Sequence, residues 1–211
     1  MRLLLVRHGE SAANAASIYQ GWLDSPLSPR GEAQAAATAR ALAARDDLHV
    51  VAVYASPLAR AWYTGAAIAA AVGLTPIATP GLREINVGAT TGLAFAAVRE
   101  RWPDLEELRR VGGRAHGWPE GESGHDFAAR VGATVDAIIA RHLHAQAPGA
   151  HEETVVLATH GGTIRFALAH LREEMEGWPN DTVDNCSIAE AIVSPTTREI
   201  VAINGCAHLI D

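Results

Sequence analysis

Three short apolar runs constrain this chain more than any other feature. RLLLVR at 2–7, VVAVYAS at 50–56 and TVVLAT at 154–159 are continuous in hydrophobicity and too short for buried helices. Each reads as a buried strand. Helical stretches lie between them. Ser28-Pro29 is a start signal, a serine N-cap followed by proline at the first helical position. It opens a helix through GEAQAAATARALAAR, and Ser56-Pro57 repeats the signal before LARAWYTGAAIAAAV. TPIAT at 75–79 is a weaker strand. Ser123 with Asp126 resembles a capping box and opens a helix to about Gln146. GGTIRFALAHL follows the third strand as a helix. CSIAEAIVS and REIVAIN read as a hairpin at a sheet edge.

Strands that alternate with helices in this way predict an α/β protein. The expected architecture has three layers, α/β/α, with a mostly parallel sheet, an antiparallel edge strand and a small lid. The 211 residues suit one domain, 1–211. Residues 8–27 are expected to form a polar loop. Residues 80–122 read as irregular, with a helical stretch from about Phe95 to Arg110, and the segment of about 80–125 is the expected lid.

Charge and composition narrow the function. Seventeen basic residues against 24 acidic ones leave a net charge of −7, a poor match to nucleic acid or an anionic membrane. No apolar run reaches the length of a membrane span, and no signal peptide is expected before LLLV. Cys186 and Cys206 are far apart and show no metal-type spacing, which fits a reducing, cytoplasmic setting. His142 and His144 fall on opposite sides of their helix and do not share a ligand face.

Open α/β sheets build their sites at the carboxyl ends of the strands. The first run ends in Arg7-His8-Gly9. The second is followed by Ser56, with Arg60 on the first turn of the next helix. The third ends in Thr159-His160-Gly161-Gly162. Two arginines and two histidines thus reach one edge, and Glu84, in LREINVG, adds a carboxyl group. Two guanidinium forks with imidazole donors suit a phosphate dianion. Glycines beside the histidines allow backbone N–H groups to approach an anion. One imidazole can attack phosphorus as a nucleophile, and the other is best protonated to stabilise the transferring oxygens. A carboxylic acid can protonate the leaving oxygen and then activate water.

RHGES with Asn14, QGWLDSPLSPRG, SPLARAWYT, LREINVG and THGG, in this order from residue 3 to about 165, resemble the histidine phosphatase superfamily, also called the phosphoglycerate-mutase-like fold. The resemblance implies that His8 is the phosphorylated nucleophile and Glu84 the proton donor. It implies that Arg7, Arg60 and His160 bind the phosphoryl group, that Asn14 also touches it, and that Gln20 and Gly21 line the pocket. Gly161 belongs to the same phosphate-binding set. No metal and no other cofactor is expected. Thr91, in GATTG, stands where the family often has an acid. The short middle, PEGES and DNCSIAEAIV resemble the phosphatase branch.

The expected activity is metal-independent hydrolysis of a small phosphorylated metabolite. A phosphoglycerate mutase uses the same site and returns the phosphoryl group to product. A phosphate-binding module without turnover is the third reading, and the presence of both His8 and Glu84 argues against it. The edge hairpin can pair with a second copy, so a homodimer is open. His116, His125 and His151 read as surface residues, and Trp102, Trp118 and Trp178 as packing. Arg165 reads equally as surface or site, and Trp22 sits beside the expected pocket.

Overall fold

Leu3 and Leu5 face one side of the sheet and Leu4 and Val6 the other, and all four are fully buried. A strand covered on both faces must lie inside a layered structure. A computed structural model of the chain describes residues 1–145, 152–174 and 176–209. Its six strands are β1 (Arg2–Arg7), β2 (His49–Ala55), β3 (Ile77–Ala78), β4 (Glu153–Thr159), β5 (Ile188–Val193) and β6 (Arg198–Gly205). Their order across the sheet is β3-β2-β4-β1-β5-β6. The first four are mutually parallel; β5 runs antiparallel to both β1 and β6. The antiparallel edge is the two-stranded hairpin expected of CSIAEAIVS and REIVAIN.

The described helices are α1 (Ala12–Ala15), α2 (Pro29–Ala43), α3 (Ala59–Ala71), α4 (Phe95–Arg101), α5 (Leu105–Gly112), α6 (Gly124–Ala145) and α7 (Gly161–Leu171). Ala39 and Leu42 of α2 and Ile68 of α3 pack on Leu4, Val6, Val53 and Val156. Phe127 and Val131 of α6 and Ile164 and Leu168 of α7 pack on Leu3, Leu5, Val155 and Leu157 across the sheet. These are the three layers. Burying a side chain of this size contributes about 1.5–3 kcal/mol, so a charge at either face of β1 or β4 breaks the stack.

The two Ser-Pro signals have different fates. Ser28 caps α2, its hydroxyl accepting from Gly31 N at 3.1 Å. Ser56 is not the cap of α3, which starts after Leu58 and takes its capping bond from Asp24 Oδ1, 2.7 Å from Ala59 N. The Phe95–Arg110 stretch is two helices, not one. Trp102 precedes Pro103 and is held outside the helical region, at φ −132° and ψ 69°, because proline crowds the helical conformation of the residue before it. The expected loop at 8–27 contains α1, closed by a reciprocal capping box between Ser11 and Asn14. Residues 80–125 send Leu82, Val98 and Leu105 into the core. Gln146 and His151 lie outside the described residues. Both cysteines are free thiols. Among the described residues, no helix is long and apolar enough to cross a membrane.

Candidate active site

The parallel register decides which side chains meet. Arg7 on β1 pairs with Thr159 on β4, and Ala55 on β2 pairs with Ala158. The ladder continues one step further, with His8 N donating to Thr159 O at 2.9 Å and Ser56 N to Ala158 O at 3.0 Å. His8, His160 and Ser56 are therefore the first residues past three adjacent strands.

The His8 Nδ1–H donates to the Gly9 carbonyl at 2.7 Å. A carbonyl can only accept, so the proton sits on Nδ1 and the Nε2 lone pair is free. Burial, with the positive charge of Arg60 and then Arg7, holds this imidazole well below its usual protonation range. His8 is a neutral imidazole at neutral pH. The His160 ring stands edge-on to it, centroids 5.1 Å apart, with Nε2 2.8 Å from Ser56 Oγ. His160 is fully buried beside His8. Burial, then Arg60 and His8, also hold it well below its usual range. In the free site, burial first and then Arg60 favour the neutral form of His160, the opposite of the protonated form expected.

Arg7 NH1 donates to Val183 O at 2.7 Å; Arg60 NH1 and NH2 donate to Leu23 O and Gly21 O, both at 2.8 Å. Arg60 is 1% exposed, and burial pulls its guanidinium down to about 10. Three buried nitrogens, Arg7 Nε, Arg60 Nε and His160 Nδ1, have no hydrogen-bond partner among the described residues. Buried donors are nearly always satisfied, so this cluster suits an anion.

Glu84 enters from the loop after β3. Its Oε2 accepts from Gly162 N at 3.0 Å and its Oε1 from Ile85 N at 2.9 Å. A methyl group on Gly162 would lie 2.3 Å from Oε1, so a side chain here would push the Glu84 carboxyl group aside. Gly9 differs from the expectation: its N–H donates to Thr64 Oγ1 at 3.1 Å instead of facing an anion. A methyl there would lie 2.4 Å from Gly31 O, so this glycine lets the loop close on α2.

Arg7, His8, Asn14, Gln20, Gly21, Arg60, Glu84 and Gly161 all border one cavity of about 350 Å³. Its outer wall is apolar and aromatic, including Tyr19, Phe95, Trp118 and Trp178. Asn14 Oδ1 accepts from Ser11 N at 3.2 Å, so its amide nitrogen is the end left for a ligand. The Ser11 hydroxyl, 2.8 Å from Gln20 Oε1, ties Gln20 to the same turn.

The family model described as the histidine phosphatase superfamily (branch 1) matches residues 3–205. The chain belongs to the histidine phosphatase superfamily. Phosphoserine phosphatase 1 of Hydrogenobacter thermophilus is 32% identical over 99% of this chain and 94% of its own length. A 2,3-bisphosphoglycerate-dependent phosphoglycerate mutase of Methylobacterium radiotolerans is 34% identical over 77% of this chain and 75% of its own. A solved mycobacterial glucosyl-3-phosphoglycerate phosphatase, in a complex with VO3, superposes with a TM-score of 0.84 at 29% identity, covering 97% of this chain and 98% of that one. This histidine phosphatase is by class a phosphoric monoester hydrolase.

Arg130 and Asn185 of this histidine phosphatase escaped the sequence reading because their partners are distant in the chain. Arg130 on α6 donates to the carbonyls of Gly81 and Arg83, both at 2.9 Å, and of Glu84 at 3.2 Å, and pairs with Glu122 at 2.8 Å. Trp22 donates to Glu84 O at 2.7 Å and braces the acid's backbone without lining the cavity. Asn185 Nδ2 donates to His8 O at 3.0 Å. Trp118 and Trp178 pack as expected and also form cavity wall. Trp102 packs at the core edge. His116, His125 and Thr91 are exposed, and Thr91 is not on the cavity.

Proposed function

We propose that the chain is a metal-independent phosphomonoesterase that hydrolyses a small phosphorylated metabolite through a phosphohistidine on His8. One observation carries the reading: the His8 Nδ1–H is tied to Gly9 O, leaving Nε2 as the nucleophilic atom beside Arg7 and Arg60. The positive field of Arg60 and Arg7, which adds to burial in keeping His8 neutral, repels a cation and attracts a phosphate dianion, which favours catalysis by guanidinium and imidazole groups.

In the first step His8 Nε2 bonds to phosphorus and the bond from phosphorus to the leaving oxygen breaks. Glu84 gives its proton to that oxygen, and the alcohol departs. Gly9 O steadies the positive charge on the phosphorylated ring. Arg7, Arg60, the His160 Nδ1 and the Asn14 amide bind the phosphoryl oxygens. The amide ends at Gly161 present the positive pole of α7. In the second step water attacks phosphorus, the P–N bond breaks, and Glu84 takes the water's proton. Gln20, Gly21 and the wall contributed by 80–125 hold the alcohol portion. Two free thiols fit a cytoplasmic setting.

The relative named as a mutase favours a second reading, in which the phosphoryl group returns to product instead of water. Phosphate release from a panel of small monoesters, in excess chelator, with His8→Ala beside the wild type, separates these. The hydrolase releases phosphate in chelator and loses release in His8→Ala. Isomerisation without net release supports the mutase. Release that needs metal, or that survives in His8→Ala, overturns the proposal.

A further inference from the structure

Arg7 and Arg60 suffice for a phosphate dianion, yet a third guanidinium borders the cavity. Arg165 lies on α7, four residues and so about one turn, ~5.4 Å, beyond Gly161 on the same face. Its Nε donates to Asp181 O at 2.6 Å, which fixes the plane of the fork. No carboxylate among the described residues pairs with it, whereas Arg130 and Arg172 have such partners. It stands close to Arg7: a methyl group on Gly161 would sit 3.5 Å from Arg7 Nε and 3.6 Å from Arg165 NH1.

We infer that Arg165 reads a carboxylate on the leaving alcohol, so that the preferred substrate is a phosphorylated hydroxy or amino acid. The inference rests on the phosphatase reading of the same site. A guanidinium fork matches a carboxylate in two parallel hydrogen bonds. The one-turn offset suits an acid group a few bonds from the phosphoester oxygen. The charges also match. Three guanidiniums border the cavity, and a phosphate dianion with a carboxylate brings three negative charges. A substrate without the carboxylate leaves one cation unmatched, and sites built to bond a polar group discriminate against ligands that lack it.

The test compares kcat/KM for matched pairs: 3-phosphoglycerate with glycerol 3-phosphate, and phosphoserine with phosphoethanolamine. Each pair differs chiefly in the carboxylate. The wild type favours the acid of each pair by tenfold or more. Arg165→Leu brings that ratio towards one, mostly through KM, and Arg165→Lys, which keeps the charge but not the fork, lies between. A ratio that is equal in the wild type and both variants overturns the assignment, as does an equal fall for both members of each pair, which would make Arg165 a third phosphate ligand. If Arg165→Leu does not fold, Arg165→Lys and Arg165→Gln give the same comparison. No release from any of the four by the wild type overturns the phosphatase reading and this assignment with it. Release from all four with an unmoved ratio overturns this assignment alone.

Discussion

The imidazoles of His8 and His160 meet edge to face, 5.1 Å between centroids, and each is anchored outside the pair. Gly9 O holds His8 at 2.7 Å and Ser56 Oγ holds His160 at 2.8 Å. The two rings belong to strands that neighbour only through the sheet, so the pair exists only in the folded chain.

This pair makes stability depend on pH. Both imidazoles are held neutral in the fold, while unfolded histidines protonate near ~6.5. Between that value and the lower folded one, the unfolded state binds more protons. Stability from the pair is therefore complete above about pH 6.5 and is lost as pH falls towards the folded values, by up to about 1.4 kcal/mol per pH unit for each ring. Urea unfolding from pH 7 to pH 5 should show this loss, and a double variant His8→Ala, His160→Gln should flatten it. An unchanged slope in the double variant would contradict the neutral pair.

Gly162 controls the acid. A methyl group there would overlap Glu84 Oε1. Gly162→Ala should therefore behave like Glu84→Gln, reducing kcat on alkyl phosphates 10²-fold or more and aryl phosphates less, since an aryl oxide needs little protonation. Steady-state kinetics on both substrate types check this. Equal losses on the two would assign Gly162 to backbone folding alone.

Arg130 acts at longer range, through the carbonyls of Gly81, Arg83 and Glu84. Arg130→Met should leave the Glu84 loop loosely held and the Glu122 carboxylate without its cation. The expected result is a loss of stability of about 1.5–3 kcal/mol, typical of losing charge-assisted hydrogen bonds in a partly buried ion pair. It should also bring a fall in kcat larger for alkyl than for aryl phosphates. Thermal unfolding with the same kinetics separates the two effects; a stability loss with the alkyl-to-aryl ratio unchanged would remove Arg130 from the positioning of Glu84.

The sheet was legible because its strands are local signals: LLLV, VVAVYA and VVLA announce themselves by apolar continuity. Their carboxyl ends then placed Arg7, His8, Arg60 and His160 at one edge. What sequence could not show is how distant groups fix these side chains. Ser56 carries the same Ser-Pro signature as Ser28, yet its hydroxyl meets His160, 104 residues away, instead of capping a helix. Glu84 is oriented by Gly162 and Arg130, 78 and 46 residues on. The neutral state of His160 depends on burial and on Arg60, which no local pattern encodes. The break at Trp102-Pro103 is different: the single helical stretch expected from Phe95 to Arg110 overlooks a proline in plain view.

The central claim is that His8 takes the phosphoryl group. The most direct test mixes enzyme with a fast-reacting aryl phosphate, quenches within the first turnover without acid, and maps phosphorylated peptides by mass spectrometry. The account predicts a phosphoryl group on the His8 peptide, formed before steady state and absent from His8→Ala. A burst of alcohol release with an unmodified His8, or phosphorylation on another residue, would contradict it.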